Sequence, residues 1–209
     1  MTSIQTLRLP HLPQENPIFA ACFVGVQNAA FLRQQLLQGN SEYEYAFLDA
    51  TTILSVNHLL AAVFRAVNDM LYGRLKSRNV HSEIVYCLSP NNNIAESFRR
   101  FGITESTTAL LAVKVGMASH PNITAESVVA HLNSAVQGQP VSFNNDELQS
   151  LTDLDKLRKF YKLEGPKPQP KRPARQIATN GAQDSLETSA ESRLEMECTI
   201  LGLMALRGS

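Results

Sequence analysis

The sequence predicts an α/β fold: one compact domain with a small central sheet covered by helices, closed by a C-terminal helix that follows a flexible linker. Three observations predict it. Short apolar runs of strand length alternate with amphipathic stretches of helix length. Asn, Thr and Asp stand where those helical stretches begin, as capping requires. A single proline-rich, basic segment interrupts the pattern near the end of the chain. With 209 residues, 44% of them hydrophobic, the chain can bury one sizeable core.

Residues 18–25 (IFAACFVG) form an apolar run ending at glycine, either a short buried strand or a helix start, which periodicity alone does not separate. Asn28 is placed to cap a helix over 29–38. Residues 45–49 (YAFLD) have the length and aromatic content of a second strand and lead into a turn at Thr51-Thr52. From Val56, a stripe through Leu59, Leu60, Val63, Val67, Met70, Leu71 and Leu75 predicts a long amphipathic helix. Residues 83–88 (EIVYCL) read as a central strand stopped by Ser89-Pro90, because proline cannot donate to a sheet ladder. Asn93, with Glu96 three residues on, predicts a capped helix to Arg100 or Phe101, with Gly102 free to close it in the left-handed conformation. Residues 109–115 (ALLAVKV) read as another buried strand, and Thr124 caps a helix reaching about Gln137. Two short helical patterns follow, over 145–151 and 153–161. Strand order is not readable.

Between Glu164 and Asp184 the chain carries Pro166, Pro168, Pro170 and Pro173 with Lys167, Lys171, Arg172 and Arg175, and no acid. Such a segment cannot bury enough apolar area to offset its ordering entropy. It divides the chain into a domain over 1–163, a linker insertion over 164–184, and a helix over 185–209 that completes the same domain. In that helix Leu186, Ala190, Leu194, Cys198 and Leu201 recur on one face, and 200–206 is apolar almost all round, so its own domain or a partner must cover it.

Nineteen basic residues balance nineteen acidic ones, which removes the global positive field that drives strong non-specific nucleic-acid binding. RNA contact must then be local or shared with partners. Cys22, Cys87 and Cys198 are odd in number and lack ligand spacing, which points to a reducing compartment, and no uninterrupted apolar run reaches membrane-spanning length. The expectation is a soluble, unsecreted chain with no membrane partner. Phosphate-cradling glycine motifs are absent, and His11, His58, His81, His120 and His131 show no metal spacing, so neither cofactor nor metal is expected. Ser89 lacks the glycine of a nucleophile elbow, yet His81 lies one strand-length before it, and a Ser/His pair stays open. Asp146, Glu147, Asp153 and Asp155 stand at helix starts, where acids stabilise the dipole.

The segment Ser89-Pro90-Asn91-Asn92-Asn93, with Arg99, Arg100 and Phe101 at the far end of the following helix, allows two readings. One is turn and cap chemistry. The other is an RNA surface, on which amides read base edges, arginines meet phosphate and Phe stacks. Lys76 and Arg78 make a second basic cluster, either phosphate contacts or cations favoured at a helix C-terminus.

The stretch from Leu88 to Ile103 (LSPNNNIAESFRRFGI) resembles the signature of the small kinase-binding subunit family of the KEOPS (EKC) tRNA-modification complex. Further stretches resemble that family in the same order: Val26-Gln27-Asn28-Ala29, Leu75-Lys76-Ser77-Arg78 with Ser82-Glu83-Ile84, Lys159-Phe160-Tyr161-Lys162-Leu163, and the ending Leu206-Arg207-Gly208, which is similar to fungal members. The resemblance covers nearly the whole chain except the linker. It implies an α/β accessory subunit without a catalytic centre that binds the complex's small atypical kinase/ATPase, meets the threonylcarbamoyl transferase subunit indirectly, and helps recruit tRNA by its 3′ CCA end. It also implies residence in the nucleus and cytoplasm, including telomeric chromatin. Carried onto this sequence, the RNA-binding candidates are Lys76, Arg78, Asn91, Asn92, Asn93, Arg100 and Phe101, and the kinase-binding candidates are Ile200, Leu203, Met204 and Leu206. Two other classes stay open: a stand-alone RNA-binding protein and a small α/β enzyme.

Overall fold

The computed structural model describes residues 4–117, 119–163 and 183–207, with side chains of the last helix described from 191 onward. The predicted linker, except its last two residues, falls outside that set. At the centre, β2 (Ile18–Val24) pairs antiparallel along its whole length with β4 (Ala109–Val115), and β4 pairs antiparallel with β3 (Ala46–Asp49). The other edge of β2 is shared by two short strands, β1 (Gln5–Leu7) against Ile18 to Ala20 and β5 (Gln139–Val141) against Cys22 to Val24. Neither short strand has a clear sequence pattern; pairing with β2 makes them strands.

The central strands read as continuous apolar runs because both of their faces are covered. Ile18, Ala20, Cys22, Leu48, Leu111, Val113 and Val115 face a large core under α2 (Val56–Leu71), α3 (Val80–Cys87) and the C-terminal helices. Phe19, Ala21, Phe23, Phe47, Leu110 and Ala112 face a smaller core under α1 (Ala29–Gln38) and α5 (Ala125–Ala135). The side-chain period of two sorts each strand between these cores.

The expected strand over 83–88 is instead most of α3. Asn79 Oδ1 accepts the Ser82 N–H (2.8 Å) and starts the helix, and every residue of α3 except Ser82 is buried. A helix buried all round has no polar stripe, so a short apolar run there looks like a central strand. The Glu83 carboxylate, also inside, accepts the Lys76 and Ser77 N–H groups (3.0 and 2.7 Å) and so shapes the loop before the helix. That loop begins early: α2 ends at Leu71, and Leu75 lies beyond it.

Asn28 precedes α1 as expected but does not cap it. Its side chain crosses to α5, donating to Ala135 O (2.8 Å) and accepting the Gln137 N–H (2.9 Å). In α4 (Ile94–Phe101), Asn93 Oδ1 accepts the Glu96 N–H (3.0 Å), while the Glu96 side chain turns to Arg99 and Arg100 rather than back to the cap. Gly102 is extended (φ −74, ψ 164), not left-handed, because it bridges to Leu48 at the edge of β3. Helices α6 (Asn145–Leu151) and α7 (Leu154–Tyr161) are capped by Asn144 and Asp153.

Helix α8 (Gln183–Ala205) returns to pack beside α2. Its buried side is Met196, Ile200 and Met204, held at the end by Arg65, whose guanidinium donates to Met204 O (2.6 Å) and Arg207 O (2.7 Å). The expected stripe faces the other way: Leu194 is 60% exposed, Cys198 is exposed and Leu201 half-buried. Both stripes have helical spacing, and the surface of α2 selects between them. No helix among the described residues is long and apolar enough to cross a membrane.

Candidate functional site

Between α1, the loop before α3, and α4 lies a groove of about 870 Å³, within the roughly 300–1,000 Å³ range of small-ligand pockets. Its floor is apolar, from Leu36, Phe47, Val85, Phe98 and Ile103. Among the described residues three arginines line it, one from each bounding segment: Arg33 on α1, Arg78 in the loop and Arg99 on α4. Arg33 pairs with Glu105 (3.1 Å) and Arg99 with Glu96 (3.1 Å), whereas Arg78 is exposed and makes no ion pair among the described residues. Its guanidinium lies against Gly39, the left-handed closing residue of α1 (φ 70), where a Cβ would come within 2.9 Å of Nη1. An apolar floor with a cationic rim suits a ligand that pairs flat rings with phosphates.

The RNA candidates divide around this groove. Arg78 lines it. Lys76 is exposed nearby, and its main-chain N–H is fixed by Glu83. The three asparagines do not line it and serve the turn: Asn91 Oδ1 accepts from Ser89 Oγ (3.1 Å) and the Asn93 N–H (3.1 Å), Asn92 Oδ1 accepts from Tyr86 Oη (3.3 Å), and Asn93 caps α4. Asn92 and Asn93 nevertheless stay exposed. Arg100 points away, donating to Phe160 O (2.9 Å) over the Phe160 ring and pairing with Glu96. Phe101 is a correction: it is wholly buried against Phe160 and Tyr161, with no face left for a base. Helical phase explains the division, because Ser97 and Phe101 mark the inward side of α4 and Arg99 falls outside it.

Among the kinase candidates, Ile200 and Met204 are corrected in the same way, since α2 and the domain core cover them. Leu203 is half-buried on that core, and Leu206 is 71% exposed. On the outward side of α8, Leu194 and Cys198 are also exposed and Leu201 is half-buried.

Ser89 and His81 do not form a catalytic pair. Ser89 Oγ donates to Asn91, and His81 Nε2 accepts the Val115 N–H (3.0 Å). Asp69, Glu83 and Cys87 converge within 4.8 Å as the one metal-like cluster among the described residues. Its donors are engaged: Asp69 pairs with Arg74 (3.2 Å), Glu83 holds the loop, and burial pushes the Cys87 thiol up to about 11.

The groove also holds Glu44, which the sequence alone did not single out, and His81, which the sequence offered only as a partner for Ser89. His81 is 1% exposed, and its Nδ1 faces Glu44 Oε1 at 3.4 Å without a hydrogen-bond partner. Burial lowers the imidazole pKa, and the His81 ring in turn holds the Glu44 carboxyl below the usual carboxylate range. His58 offers another buried imidazole, but inside the core: Nδ1 accepts the Leu54 N–H (3.1 Å), Nε2 meets Tyr161 Oη (2.8 Å), and Tyr161 donates onward to Leu88 O.

Residues 23–208 match the family described as kinase-binding protein CGI-121. The chain is 48% identical over 206 residues to the EKC/KEOPS complex subunit cgi121 of Aspergillus fumigatus, covering 99% of this chain and 97% of that one. It is 49% identical over 208 residues to the Aspergillus terreus subunit of the same name, covering 100% and 98%. Against the Yarrowia lipolytica subunit CGI121 it is 36% identical over 202 residues, covering 97% and 99%. The chain belongs to the CGI-121 family of kinase-binding proteins.

Proposed function

We propose that this chain is a non-catalytic subunit of a KEOPS-type assembly. In this reading it docks a small atypical kinase through the outward face of α8 and holds the single-stranded 3′ CCA end of tRNA in the groove between α1, α3 and α4. The transferase that modifies the anticodon loop is reached indirectly through the assembly. The family description supplies the kinase as partner, and the relatives' names supply the complex. The observation that carries the RNA half is the groove itself, an apolar floor rimmed by Arg33, Arg78 and Arg99. Three local cations on a chain of zero net charge favour a short, shared contact over a long tract of RNA. The outward apolar side of α8, with Leu194 and Cys198 exposed and Leu201 half-buried, favours a protein partner there, since apolar surface left uncovered on a packed helix is a docking face.

Filter-binding of tRNA, intact or trimmed of its CCA, tests the reading when paired with kinase co-purification. Arg78→Glu with Arg99→Glu should weaken intact tRNA binding about tenfold or more and leave the kinase bound. Leu194→Asp with Leu201→Asp should do the reverse. Equal affinity for intact and trimmed tRNA would instead favour an RNA-binding protein of another kind.

A further inference from the structure

A groove that receives phosphates should not present an unpaired carboxylate, yet this one does. Of the two carboxylates lining it among the described residues, Glu105 is answered by Arg33. Among the described residues Glu44 has no Arg or Lys within ion-pair distance; its only such neighbour there is His81 Nδ1 at 3.4 Å. The Val115 N–H occupies Nε2, so the imidazole proton sits on Nδ1, aimed at Glu44. Lys114 fixes the same residue from behind, its ammonium donating to the Glu44 carbonyl and lying 4.7 Å from the Tyr45 ring centre. The carboxylate is therefore held in place and ionised, one third exposed at the groove wall, able only to accept.

An acceptor with a formal charge repels phosphate oxygens and base carbonyls and attracts amines. In single-stranded RNA the available amines are the exocyclic groups of cytosine, adenine and guanine; uracil has none. Carboxylates reading the cytosine amine are an established pairing in nucleic-acid recognition. We propose that Glu44, with His81 as its positioning residue, is the specificity-determining acceptor of the groove and selects bases carrying an exocyclic amine against uracil. This rests on the reading of the groove as an RNA-end site.

The test uses the full chain and a 5′-fluorescein RNA hairpin with a three-nucleotide 3′ tail of cytosine, uracil, or 2-pyrimidinone, which keeps the cytosine ring but lacks the amine. Fluorescence anisotropy should give about tenfold tighter binding of the cytosine tail than of either other tail. Glu44→Gln, whose amide can also donate to uracil, should bring the ratio to within about twofold. His81→Leu should lower the ratio, and His81→Asn, which restores a donor, should recover part of it. The wild-type series needs no variant, and thermal unfolding identifies any variant that fails to fold. Equal binding of cytosine and uracil tails, with binding still dependent on the tail, would overturn the role of Glu44 and leave the RNA-end site standing. A ratio unchanged in Glu44→Gln would do the same. Binding indifferent to the tail would overturn both.

Discussion

Lowering the pH from 7 to 5 should cost the fold about 2 kcal/mol through His58 alone. The ring is wholly buried, and burial presses its pKa from 6.5 to about 3. In the unfolded chain it regains an ordinary value and takes up a proton below about pH 6.5. The folded state does not bind that proton until about pH 3, so stability falls as pH falls through the window between the two values. Each pH unit well inside the window costs about 1.4 kcal/mol. From 7 to 5 the sum is about 2 kcal/mol rather than the full two-unit value, because the unfolded ring is only partly protonated in the upper part of that range. His81, also lowered by burial, adds in the same direction. Urea denaturation at the two pH values reads this directly: the midpoint should fall by roughly 1 M for a slope near 2 kcal/mol/M. His58→Asn keeps an acceptor for the Leu54 N–H and removes the titration. It should be less stable at pH 7 and less sensitive to acid. An equal loss on acidification in the wild type and His58→Asn would refute the reasoning, since it would mean that the folded protein protonates His58 as readily as the unfolded chain.

Arg207→Met should destabilise the fold by about 3 kcal/mol, because the buried guanidinium donates to Tyr86 O and Ser89 O (2.9 Å) and lies 3.9 Å from the Tyr86 ring centre; calorimetry checks it. Phe101→Ala should cost about 3–5 kcal/mol and weaken RNA binding only in proportion to unfolding, which separates a core residue from a stacking one. Gly39→Ala combines left-handed strain of about 1–2 kcal/mol with displacement of Arg78, so tRNA affinity and melting temperature should both fall. Leu206→Asp should leave the melting temperature unchanged, whereas Met204→Asp, two residues away but buried, should unfold the chain.

The local grammar of this fold is legible in the sequence. Asn93, Thr124 and Asp153 each accept the N–H three residues on, as their positions predict. The run 109–115 is a strand along its full length, and 29–38 is a helix. These elements follow from properties carried by a few neighbouring residues. The failures share a different cause. Residues 83–88 have no polar face because α3 is covered on all sides, and that covering belongs to the tertiary structure. Helix α8 carries two apolar stripes, and only the surface of α2 determines that Met196, Ile200 and Met204 turn inward.

The candidate site repeats the lesson at the level of side chains. The sequence by itself determined the presence of arginines near the end of α4, the turn chemistry of the asparagines and the absence of a net charge. Arg78, an RNA candidate from the sequence, lines the groove. The sequence carried Arg100 as the candidate where Arg99 lines the groove, because the choice depends on which side of α4 faces α7. Nor could it join Glu44 to His81, which meet only where the start of β3 passes the first turn of α3. Capping and propensity are decided by bonds within one turn of chain, whereas burial and ionisation are decided by what packs across it from elsewhere.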